Sequence, residues 1–126
     1  MSRDSGPGYL PEQVPIDVYG NGGFRFADMS HRGSLLCLPS GLHAWQVEEG
    51  RTFETADFEK VMAEAESIKF LLVGTGLSIR PLPAAVRAMF REAGISCDPM
   101  STGAAIRTYN IMLVEKRPVA AALIAV

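Results

Sequence analysis

Two short, continuous apolar runs, Phe70-Leu71-Leu72-Val73 and Val119-Ala120-Ala121-Ala122-Leu123-Ile124, constrain this chain more than any other feature. Neither alternates with polar residues, so each reads as a strand covered on both faces. A strand with no wet face needs helices above and below its sheet, and helical periodicity is present. Phe58, Val61, Met62 and Ala65 recur at helical spacing with Glu59, Lys60, Glu64 and Glu66 opposite, which predicts an amphipathic helix over 57–66, capped by Thr55 or Asp57. Leu82, Val86, Met89, Phe90 and Ala93 form a second stripe, opened by Pro83 at the first helical position and closed by Gly94. A short strand over 95–98, stopped by Pro99, leads to a third helix. Ser101 or Thr102 caps that helix, which runs to about Val114 and turns Ala105, Ile106, Tyr109, Met112 and Leu113 to the core. Strand 70–73, helix and strand 95–98 make a βαβ unit.

The first third follows period two. Ile16-Asp17-Val18-Tyr19 and Phe24-Arg25-Phe26, joined by Gly20-Asn21-Gly22-Gly23, predict a hairpin. Strands over 32–38 and 43–47 follow, joined by Pro39-Ser40-Gly41, so this part reads as an antiparallel β unit. Residues 1–15, rich in Ser, Gly and Pro, are expected to form a mobile arm. Residues 16–126 then form a single α/β domain, for which 126 residues at 48% hydrophobic content suffice.

Composition sets aside several functions. Twelve basic and 14 acidic residues give a formal net charge of -2, which provides no field for nucleic acid or anionic lipid. No apolar run approaches the ~20 residues of a membrane span. The start of the chain has neither a hydrophobic signal core nor an Arg-rich presequence, so it reads as cytosolic, or as an organellar protein whose presequence is absent. Cys37 and Cys97 are too far apart for a zinc pair or a redox CxxC and are expected to be reduced and buried. His31 and His43 lack ligands at metal spacing, and Ser34, Ser40 and Ser78 lack a GxSxG setting. Arg80, Arg87 and Arg91 form a basic strip without interleaved aromatics, which reads as a solvated helix face. No catalytic residue, metal or cofactor is assigned.

The candidate ligand site lies where the two parallel strands end, because open α/β sheets bind ligands beyond their strand C-termini. Gly74-Thr75-Gly76 and Ser101-Thr102-Gly103 would meet there. Backbone N–H groups with the Thr75 and Thr102 hydroxyls suit an anion, but a tight turn is the favoured reading. Position 79 is Ile79 where a dinucleotide fingerprint needs glycine, and there is no GxxxxGK[ST]. Arg107 and Asn110 share a helix face and suit a ligand clamp. The favoured alternative is a buried Asn110 that satisfies itself on a loop. Trp45 is either an exposed partner anchor or buried under a helix.

From about Ile16 to Ile124 the chain resembles the uncharacterised domain family that includes mitochondrial complex I assembly factor 3 and the adipogenesis-associated domain protein. The resemblance rests on the Tyr19–Phe26 hairpin with Gly23-Phe24, the Trp45 strand, the Gly74-Thr75-Gly76 turn and the Gly94-Ile95 junction. It also rests on Met100-x-Thr102-x-x-Ala105-x-Arg107-Thr108-Tyr109-Asn110, followed by Glu115 and Arg117. It implies a three-layer α/β/α fold with a mixed central sheet and an added N-terminal antiparallel β unit. About function the resemblance implies only that one member helps assemble respiratory complex I; the favoured expectation is a non-enzymatic protein-binding module, an assembly or chaperone-like factor for a respiratory complex, using an exposed apolar patch with Phe24 and Trp45 at the partner surface. The alternative is a small-molecule or anion-binding protein, or an enzyme, with a cleft formed by Gly74, Thr75, Gly76, Thr102, Arg107 and Asn110. A protein partner is expected, the hairpin edge admits a homodimer by strand pairing, and no nucleic-acid partner is expected. The chain looks like a bacterial, cytoplasmic relative; the mitochondrial matrix applies only if a presequence has been removed.

Overall fold

A computed structural model describes residues 10–126. Its strands are β1 (Val18–Gly20), β2 (Gly23–Phe26), β3 (Met29–Arg32), β4 (Ser34–Leu38), β5 (Gly41–Trp45), β6 (Phe70–Gly74), β7 (Ser96–Met100) and β8 (Val119–Leu123). Its α-helices are α1 (Glu59–Ala63), α2 (Ala84–Glu92) and α3 (Thr102–Val114). The central sheet has the order β5-β4-β8-β6-β7, with β6 parallel to both its neighbours and β4 antiparallel to β5 and β8. A separate three-stranded antiparallel sheet, β1-β2-β3, stands beside it.

The two apolar runs occupy the middle of the central sheet, and their pleat divides the core into two layers. Leu36, Leu38, Leu71, Val73, Ala120 and Ala122 face one side and pack with Val86 and Phe90 of α2. Leu35, Cys37, Leu72, Ala121 and Leu123 face the other and pack with Ala105, Ile106, Tyr109 and Met112 of α3. Phe24 and Phe26 join this second layer, so the small sheet covers the same face as α3. The fold is the expected three-layer α/β/α arrangement with an added antiparallel β unit.

Four local expectations change. The expected strand over 32–38 is two strands, because Gly33 at φ +95 turns the chain between β3 and β4. β3 itself follows a turn with Ala27 at φ 48 and Asp28 at φ 60, where no glycine marks the left-handed residues. The helix expected over 57–66 is broken into a 3₁₀ turn (Thr55–Phe58), α1, and a second 3₁₀ turn (Ala65–Ser67). The Asp57 carbonyl accepts from the Trp45 indole at 2.8 Å, and the Asp57 carboxylate accepts from the Glu54 N–H at 2.7 Å. Trp45 stacks on Phe53 at 6.0 Å, and Phe58 meets Phe90 edge-on at 5.2 Å, so an aromatic ladder rather than a regular helix fixes this segment. Lastly, β7 runs through Pro99 to Met100. Ser96 donates to Lys69 and Met100 accepts from Thr75, so alternation turns the missing Pro99 N–H to the free edge.

Part of the expected mobile arm lies outside the described residues. Residues 10–15 are held in place: Leu10 and Leu42 exchange two backbone hydrogen bonds of 2.9 Å, Gln13 donates to the Val119 carbonyl at 2.8 Å, and Tyr109 donates to the Val14 carbonyl at 2.8 Å. Among the described residues no helix is long and apolar enough to cross a membrane.

Candidate functional site

The two glycine-containing turns meet as their placement on parallel strands requires. Thr75 donates its N–H to the Met100 carbonyl and Thr102 donates its own to the Gly76 carbonyl, both at 2.8 Å. The Thr102 hydroxyl donates to the Ile124 carbonyl at 2.8 Å and accepts from the Gly76 N–H at 3.1 Å. The Thr75 hydroxyl lies 2.8 Å from the Ser78 carbonyl, to which it donates, and accepts from the Arg80 N–H at 3.0 Å. Both threonines are almost fully buried. A Cβ on Gly74 would lie 2.9 Å from the Thr102 Cα, so only glycine lets β6 approach α3 this closely. Gly74, Thr75, Gly76 and Thr102 therefore form a joint whose polar groups answer one another.

Asn110 is engaged elsewhere. Its Oδ1 accepts from the Ile16 N–H and its Nδ2 donates to the Ile16 carbonyl, each at 2.9 Å, which ties the N-terminal segment to α3 in the manner of a strand pair. Arg107 does not converge with it. It lines a shallow groove of about 230 Å3 with Tyr19, Gly76, Leu77, Ser101, Gly103, Ala104 and Val126. Gly103 makes room for the Tyr19 phenol, which a Cβ at that position would overlap. Of the six residues expected around one cleft, Gly74, Thr75, Gly76 and Thr102 form a structural joint, Asn110 ties down Ile16, and only Gly76 and Arg107 line a common groove.

Phe24 and Trp45 cannot anchor a partner as they stand. They are 3% and 6% exposed, Phe24 beneath the small sheet and Trp45 against Phe53 and Phe58. The exposed apolar side chains lie elsewhere. Leu77 and Val114 are each 76% exposed, Ile79 65%, Ile111 60%, Val18 56% and Tyr19 42%. Leu77 is presented by an ordered turn, its N–H bonded to the Glu49 carboxylate at 3.1 Å. On α3, Arg107, Ile111 and Val114 follow at spacings of four and three along the outer side, and Arg107 is the only charged residue between Thr102 and Val114. A helix apolar all round is normally buried all round, and this was the available sequence signal for an uncovered face.

Other clusters are accounted for by structure. Ser40 lies 2.8 Å from the His43 Nε2 but donates its hydroxyl to the Glu64 carboxylate at 2.5 Å, and its N–H bonds the same carboxylate. That arrangement clamps the β4–β5 turn to α1 and directs the serine proton to Glu64 rather than to a histidine base. Burial, followed by the nearby Lys60 charge, lowers the His43 pKa from 6.5. Cys37 is buried as expected and Cys97, on the edge strand, only partly so; desolvation pushes both thiols up to about 12, which keeps them protonated. Among the described residues no group of His, Cys, Asp and Glu has the geometry to hold a metal.

The fold and these sequence features coincide with a known family. The family described as protein of unknown function (DUF498/DUF598) matches residues 16–124. This chain belongs to that family. An uncharacterised Rhodobacter capsulatus protein is 39% identical over 111 residues, covering 88% of this chain and 84% of that protein. The mouse protein NADH dehydrogenase (ubiquinone) 1 alpha subcomplex assembly factor 3 is 29% identical over 115 residues, which are 91% of this chain but 62% of that relative's length. A crystal structure of a Bartonella henselae protein described as an outer membrane protein superposes with a TM-score of 0.88 at 50% identity, covering 91% of this chain and 97% of that one. The family membership indicated by the hairpin, the two turns and the Arg107-Thr108-Tyr109-Asn110 segment is the one found.

Proposed function

We propose that this DUF498 protein is a non-enzymatic protein-binding module that acts as an assembly factor for a respiratory complex in the bacterial cytoplasm, holding its partner against the outer side of α3. The observation that carries this reading is the exposure of Ile111 and Val114 on a helix whose opposite side is buried. Leu77 and Tyr19, at the groove beside the first turn of α3, are further exposed apolar side chains. Contiguous exposed apolar surface is characteristic of interaction sites on folded domains. The mouse relative's name supplies the class of process, and the Rhodobacter relative supports a bacterial setting. No observation favours the ligand-cleft alternative, since Thr75, Thr102 and Asn110 bond to the chain itself.

The test is affinity capture from bacterial cells after mild crosslinking, comparing the native chain with an Ile111→Asp/Val114→Asp variant and with Arg91→Asp on α2. The expected result is enrichment of respiratory-complex subunits or their assembly proteins by the native chain and the Arg91 control, with at least a tenfold loss for the α3 variant. Equal enrichment by all three would refute the surface, and a partner set without respiratory proteins would refute the process.

A further inference from the structure

We draw no further inference here: the strongest candidate, the open cavity of about 360 Å3 along β1, β2 and β3, carries nothing, because pairing with Phe24 turns the His31 ring, whose Nδ1 is unpartnered among the described residues, to the core side and leaves the exposed Arg25 and Arg32 on the outer side, where nothing in the structure shows what they would hold.

Discussion

The helices on opposite faces of the central sheet meet solvent in different ways. α2 is divided by its own sequence: Val86 and Phe90 are buried against the sheet, while Arg87, Arg91 and Glu92 are exposed. α3 buries Ala105, Ile106, Tyr109 and Met112, yet its outer side carries Ile111 and Val114 with only Arg107 for charge. Both faces of the core are filled, so stability does not explain the difference. Apolar outer residues add little to a folded monomer and raise its tendency to associate, which is why the proposed interaction is placed on the α3 side.

The largest expected effect tests this contrast directly. Phe90→Ala removes a fully buried ring that meets Phe58 and should cost about 3–5 kcal/mol in urea unfolding, whereas Ile111→Ala should stay within ~0.5 kcal/mol. A comparable loss at Ile111 would mean that the outer side of α3 is covered within the monomer, and the contrast would collapse. Next comes Thr102→Val, which keeps the shape but leaves the buried Gly76 N–H and the Ile124 carbonyl without the hydroxyl. A loss of about 1–3 kcal/mol is expected, measured in the same way. If this change is neutral, the junction of the two turns is not the joint described.

Asn110→Ala should have a smaller global effect, about 1–2 kcal/mol, with a local signature. Hydrogen exchange should accelerate at the Ile16 amide and its neighbours while α2 amides keep their protection. Uniform acceleration would show that the N-terminal segment is not an independent layer over α3. The smallest effect belongs to His43, on the α2 side of the sheet. Its folded pKa lies below 6.5, so as pH falls through that value the unfolded chain takes up the proton first. The stability associated with neutral His43 is present above pH 6.5 and is lost between there and the lower folded pKa. A modest fall in melting temperature on acidification through that window is expected, and His43→Gln should flatten it.

Much of the fold was legible because one local rule governed it. The runs at 70–73 and 119–124 have no wet face, and Pro83 with Gly94 bounds α2; each signal lies in adjacent residues. Prediction failed where a distant residue decided a local matter. Trp45 draws the Asp57 carbonyl out of a regular helix, and Ala27 and Asp28 adopt left-handed conformations because β2 and β3 pair around them.

The site divides along the same line. The sequence by itself determined that α3 is almost uncharged and that Gly74-Thr75-Gly76 and Ser101-Thr102-Gly103 lie at the ends of parallel strands. Only the tertiary structure decided that the threonine hydroxyls bond to backbone, that Asn110 holds Ile16, that Phe24 and Trp45 are buried, and that Ile111 and Val114 are exposed. The physical reason is that periodicity records which side chains favour leaving water. Which of them are covered, and which donors are already satisfied, depends on the packing of segments as far apart as Ile16 and Asn110.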